Sequence, residues 1–278
     1  MLKQRIITSL CGIPILIAAI WFYEPLPWFT VLTAIWGLLA TYEFFRLTSI
    51  SKVSALTLFG LIITLLLIIS RDSDLKTVIE SHFNTDLTAP VLLLIAVIIP
   101  PFLLLIRRQR EKLFTSWAWT VGGILYVGWL LSYLVSLRGL DDGRNWLFFA
   151  LFTTFAFDTA AFFVGRAIGK HRLAPIISPG KTWEGTIGGT IGAVIVSLLF
   201  LLPTPLKLEL HWGHAIILGL LVSIFGQLGD LTESLFKRKI GVKDSGNLIP
   251  GHGGVLDRMD SIVFAGAAVY YYVVIFII

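Results

Sequence analysis

Charged side chains are scarce in this sequence: Asp, Glu, Lys and Arg together make up 14% of its 278 residues, against about a quarter in soluble domains. That deficit excludes an ordinary water-facing surface. Cysteine is nearly absent, and with Cys11 alone no intrachain disulfide can form. Polar stretches long enough to make a separate soluble domain are also missing; the widest gaps between apolar runs are 71–88 and 233–259. No low-complexity segment and no internal repeat is visible, and no nucleic-acid partner is expected.

What fills the sequence is apolar. Hydrophobic residues account for 56% of it and the mean hydropathy is +0.86. Apolar runs of roughly 17 to 22 residues recur from end to end, the length that crosses a hydrocarbon core about 30 Å thick. The pattern predicts an all-α polytopic membrane protein of about nine transmembrane helices, at 6–23, 27–45, 54–70, 89–106, 116–137, 145–164, 183–202, 213–232 and 260–278. The first run follows Lys3 and Arg5 as a signal peptide would, but no small-residue cleavage site follows it, so it reads as a retained helix.

The cations give the expected orientation. With nine helices, one side collects Lys3, Arg5, Arg46, Lys52, the cluster Arg107, Arg108, Arg110 and Lys112, then Arg166, Lys170, Arg172, Lys181, Lys237, Arg238, Lys239, Lys243 and Arg258, which is 17 of the 22. The other side keeps Arg71, Lys76, Arg138, Arg144 and Lys207. The positive-inside rule then places the N-terminus and the loops 165–182 and 233–259 in the cytoplasm. Such cations also serve as topology determinants or as a surface for anionic lipid, which accounts for the cluster at 107–112.

Most carboxylates fall in loops, where solvation accounts for them: Asp72, Asp74, Glu80, Asp86, Asp141 and Asp142. Asp158, Asp230 and Asp260 do not. Each lies in or at the end of an expected helix, where a carboxylate costs at least about 2.5 kcal/mol unless it is paired, wet or functional. A buried ion pair explains one such residue as well as a function does. Several at one depth favour function, and Asp158, Asp230, Asp257 and Asp260 all fall toward the cytoplasmic ends of the sixth, eighth and ninth helices. Asp257 and Asp260 are three apart and share a face if their stretch is helical. Oxygen ligands of this kind suit Mg²⁺ better than zinc, and His252 is the one histidine nearby.

The stretch ISPGKTWEGTIGGTIG contains a tempting GKT, but Pro175 stands where a Walker A motif needs its first glycine and no strand is expected before it. What remains is a Pro-Gly turn presenting Lys181 at a helix start, an arrangement suited to an anion. Gly185, Gly188, Gly189 and Gly192 read as a close helix-packing face.

From Ser234 the chain runs SLFKRKIGVKDSGNLIPGHGGVLDRMD. The positions Ser234, Lys237, Arg238, Lys243, Asp244, His252, Gly253, Gly254, Asp257, Arg258 and Asp260 closely resemble the signature of the phosphatidate cytidylyltransferases, the CDP-diacylglycerol synthases. GQLGDLTE and SPGKTWEG look like further shared stretches. The resemblance implies transfer of a cytidylyl group from CTP to phosphatidic acid within the bilayer, Mg²⁺ dependence and a homodimer in the cytoplasmic membrane. Run length places about five helices over 1–137, and the resemblance, which covers the C-terminal half, implies a catalytic region over 138–278 with the cytoplasmic loops 165–182 and 233–259. Carried over by position, Asp230, Asp257 and Asp260 would hold the metal; Asp158 is a further candidate on its membrane depth, not on the resemblance. Lys237 and Arg258 would act catalytically, and Ser234, Arg238, Lys243, Asp244, His252, Gly253 and Gly254 would bind substrate; Lys181 joins the substrate-binding group on its own position, not on the resemblance. A CTP-dependent lipid kinase of the dolichol or phytol kinase type is the nearest alternative. From another class, a transporter with intramembrane carboxylates is the second.

Overall fold

Inside hydrocarbon every backbone N–H and C=O must find its partner within its own segment, so long apolar runs become helices. The computed structural model describes residues 2–22, 27–48, 54–80, 87–106, 113–246, 248–249 and 253–278. His252, Lys52 and the cation cluster at 107–112 lie outside them.

The elements in chain order are α1 (Leu2–Trp21), α2 (Trp28–Leu47), α3 (Ser54–Ile69), a short α4 (Ser73–Glu80), α5 (Thr88–Ile106), α6 (Leu113–Gly123), a π-helical turn (Ile124–Trp129) and α7 (Leu130–Arg138). Then come α8 (Gly143–Ile168), the strands β1 (Arg172–Ala174) and β2 (Ser178–Thr182), α9 (Trp183–Leu199), α10 (Trp212–Ile240), a 3-10 turn (Leu256–Arg258) and α11 (Asp260–Phe276). Among the described residues, five helices are long and apolar enough to cross a membrane: Trp28–Leu47, Thr88–Ile106, Phe114–Arg138, Gly143–Ile168 and Trp212–Ile240. Shorter apolar helices occupy Leu10–Trp21, Ala55–Ile69, Trp183–Leu199 and Asp260–Phe276. The protein is an all-α polytopic integral membrane protein.

The chain forms two compact units, Met1–Gly139 with Asp244–Arg258, and Leu140–Lys243 with Met259–Ile278. Sequence reasoning cut the chain near 137/138 and kept 244–258 with the second half. In the structure that segment packs in the first unit, its 3-10 turn against α2. The core of the first unit centres on Phe44 and Phe45 of α2, with Trp119 and Tyr126 edge-on or tilted against Phe44. A Cβ on Gly123 would come within 2.7 Å of both phenylalanine rings, so glycine lets α6 seat there.

In the second unit α8 packs along α9, α9 against α10, α10 against α11, and α11 back on α8. The glycine face of α9 is the contact expected. A Cβ at Gly189 would lie 2.8 Å from the Phe157 ring and one at Gly192 would lie 2.8 Å from Ala160 Cβ.

Three local expectations are corrected. The eighth helix does not stop at 232 but runs to Ile240 and is capped by Gly241 at φ +82°. Nothing in LTESLFKRKI breaks a helix, Glu233 pairs with Lys237 one turn on at 2.7 Å, and the last turn carries Lys237, Arg238 and Lys239 against the negative helix end. Ser234, Lys237 and Arg238 therefore sit on a helix, not in a loop. Next, Pro179-Gly180 is not a turn: it lies in β2, which pairs antiparallel with β1 through Arg172–Thr182 and Ala174–Ser178. A two-stranded ribbon leaves an open edge where proline sacrifices no ladder bond, and the Pro179 carbonyl accepts from the Arg172 guanidinium at 2.7 Å. Finally, Asp72 is not solvated. It is 1% exposed, accepts from the Thr30 hydroxyl at 2.5 Å and caps α4 through the N–H groups of Asp74 and Leu75.

Candidate active site

Three helices of the second unit supply its carboxylates. Asp158 comes from α8, Asp230 from α10 and Asp260 from the first position of α11. Asp158 lies within electrostatic reach of Asp260, Asp230 and Lys181. Asp260 is within electrostatic reach of Asp230 and Lys237 and lies beside Glu233. Gly229 makes the α10–α11 approach possible: its Cα faces the Asp260 carbonyl so closely that any side chain would collide with it. The pair Gly229-Asp230 thus brings α11 in and adds a carboxylate at the same point.

Cations are interleaved with these acids. Lys181 Nζ sits 2.7 Å from Asp230 Oδ2, while the Ser234 hydroxyl donates to the other oxygen at 3.3 Å. Lys181 is delivered by β2, one residue before Thr182 caps α9 through the Gly185 N–H at 3.1 Å. Lys237 Nζ is 2.7 Å from Glu233 Oε2, with Glu233 almost wholly enclosed. Asp158, Asp230, Glu233 and Asp260 with Lys181 and Lys237 leave a formal charge of two negatives when all are ionised.

Arg238 acts differently. Its guanidinium donates to the carbonyls of Ile177 at 3.2 Å and Val242 at 3.3 Å, tying the β1–β2 turn to the end of α10. Lys243 is exposed.

In the first unit, Asp257 lies in the 3-10 turn and accepts from the Ser245 N–H with both oxygens, at 3.2 and 2.9 Å, and from the Gly254 N–H at 2.9 Å. Gly253 takes φ +85°, a conformation glycine reaches without strain. Asp244 and Arg258 are exposed. The three-residue spacing of Asp257 and Asp260 is not a helical turn: Asp257 belongs to the 3-10 turn and Asp260 opens α11. The two residues also belong to different units.

The structure brings Asp158, Asp230, Asp260, Lys181, Ser234 and Lys237 into one group, and Asp257, Gly253 and Gly254 into another. Two acids escaped the sequence reading. Glu233 stands three residues after Asp230, on the same helical face. Glu43 stands in the apolar run of α2, where the argument that singled out Asp158 applied equally.

The donor chemistry fits magnesium in kind, because the acids of the second unit offer hard oxygens without sulfur. Among the described residues no three His, Cys, Asp or Glu side chains converge into a ready cage. That suits an ion held by one or two carboxylates and completed by substrate phosphates.

A polytopic helical protein that concentrates carboxylates, lysines and a serine on packed helices and the strand leading into α9 has the makings of a membrane enzyme of phosphate chemistry. The chain belongs to the cytidylyltransferase family, whose sequence model matches residues 3–276. It is 34% identical over 277 residues to the phosphatidate cytidylyltransferase of Bacillus subtilis, covering 99% of this chain and 98% of that one. It is 37% identical over 253 residues to the protein of that name from Brucella suis, covering 89% and 85%. With the one from Staphylococcus saprophyticus it shares 37% over 228 residues, covering 82% and 84%.

Proposed function

We propose that this protein transfers the cytidylyl group of CTP to phosphatidate, giving CDP-diacylglycerol and pyrophosphate. A phosphate oxygen of phosphatidate forms a bond to the α-phosphorus of CTP, and the bond from that phosphorus to the bridging oxygen breaks. The electron pair leaves on pyrophosphate. The nucleophile is already anionic, so no serine–histidine base is required. Two polyanions must instead be drawn together and the leaving group's charge balanced, a task for positioned cations.

The observation that carries this reading is the grouping of Asp158, Asp230, Glu233 and Asp260 with Lys181 and Lys237 in the second unit. Asp230 and Asp260 of the second unit would hold Mg²⁺, with Asp158 within reach of both; the signature's resemblance makes Asp257, in the first unit, a further candidate ligand. When bound, the ion would neutralise phosphate charge. Lys181 and Lys237 are held by carboxylates and are ready to exchange them for substrate phosphates. Lys243 and Arg258, both exposed, would meet the incoming anions; Ser234, Arg238, Asp244, His252, Gly253 and Gly254 would complete substrate binding. Such a site is expected at the cytoplasmic face of the cytoplasmic membrane, where the cation bias of the loops supports the orientation. The signature's resemblance also supports a homodimer.

Purified protein given labelled CTP, phosphatidate and Mg²⁺ should form CDP-lipid and release one pyrophosphate for each. Release of CDP with a phosphorylated lipid would favour the kinase reading instead. No lipid product with phosphatidate would overturn the proposal.

A further inference from the structure

Glu43 is a carboxylate near the C-terminal end of the apolar helix α2, and it is 6% exposed. Its Oε2 accepts the Ser245 hydroxyl at 3.2 Å and the Leu256 N–H at 3.0 Å, from residues more than two hundred positions away. Oε1 has no hydrogen-bond partner among the described residues and packs against Gly246, where a Cβ would lie 2.7 Å from it. Gly254 seats directly on the carboxylate, since a Cβ there would lie 2.5 Å from Oε2 and run into Ser245 Oγ.

The same two residues grip Asp257. Ser245 gives its N–H to Asp257 and its hydroxyl to Glu43, and Gly254 gives its N–H to Asp257 while lying against Glu43. Glu43 therefore reaches the signature aspartate through a two-residue bridge, without touching it.

We propose that Glu43 is a positioning residue for the transfer reaction: by fastening Ser245, Gly254 and Leu256 it fixes the backbone donors that orient the Asp257 carboxylate. The claim rests on the cytidylyl-transfer reading above and assigns the α2 helix a part in it. A neutral amide of the same shape is a weaker acceptor and places N–H groups beside Gly246, so it should loosen the grip while sparing the fold.

The test compares full-length wild type with Glu43→Gln, Ser245→Ala and the double variant, all in the same detergent. Glu43→Gln should lower kcat about tenfold to a hundredfold, the range typical of residues that orient a ligating group, with KM for CTP little changed. The double variant should lose no more than the worse single one, since both act through one bridge. Hydrogen exchange at the Ser245 and Gly254 amides should quicken in Glu43→Gln, and this reads the positioning apart from catalysis. If wild type makes no CDP-lipid, the functional reading fails and exchange alone decides the role of Glu43. Unchanged exchange overturns the proposal. So does a wild-type kcat, or a rate loss matching only the loss of folded protein in thermal unfolding.

Discussion

A carboxylate in an apolar helix must be paired, wet or useful, and in this protein such residues divide clearly by what holds them. Asp230 is bound by Lys181 and Ser234, while Asp260 lies beside Glu233 and in the field of Lys237. Replacing Asp230 or Asp260 by Asn should cut CDP-lipid formation at least about a hundredfold, because each removes a proposed ligand of the cation that would neutralise the phosphates. Asp74→Asn, at an exposed position of α4, should leave the rate at wild-type level; a similar loss there would sink the assignment. Asp158, Asp230 and Asp260 were legible in the sequence because burying charge is costly. Glu43 and Glu233 obey the same rule and were passed over, the first because it stands far in sequence from the signature, the second because it follows an obvious aspartate. Asp72 was misread the other way: its place between helices suggested solvent, whereas Thr30 and the start of α4 enclose it.

At the level of elements, run length revealed where the helices are but not where polar helices continue. The eight residues of α10 beyond 232 look like loop by hydropathy, and their helicity comes from local pairing and capping that no hydropathy window registers. The β1–β2 hairpin escaped for a related reason. Two short strands with a proline carry little pattern, and the Arg238 guanidinium that ties their turn to α10 comes from sixty-one residues away. Arg238→Lys should not replace this tie, because one ammonium cannot reproduce a planar fork to two carbonyls. Limited proteolysis at residues 175–177 should therefore speed up in Arg238→Lys as it does in Arg238→Ala. The α9 glycines make a further test: Gly189→Val forces bulk onto Phe157, and overpacking of this kind costs about 1–3 kcal/mol. Its thermal midpoint should fall, whereas Gly180→Ala, with open space around it, should change little.

For the molecule as a whole, orientation and metal dependence are the properties to measure. In a Cys11→Ser background, a thiol placed at Ile176, which is 91% exposed, should react with an impermeant reagent only in inside-out vesicles. A thiol at Asp141 should react only in right-side-out ones, and the reverse pattern would invert the proposed orientation. Chelation by EDTA should abolish turnover and added Mg²⁺ should restore it, with labelled CTP following both steps.

The pairing of Glu43 with Ser245 and Leu256 spans 202 and 213 residues, which fixes an order of events during synthesis. Chains elongate at about 5–20 residues per second, so α2 enters the bilayer roughly ten to forty seconds before its partners exist. Through that interval the nascent protein carries a carboxylate in an apolar helix with nothing to hold it. Any chain that stalls or is cut before residue 245 keeps it in that state, a defect that membrane quality control could read directly.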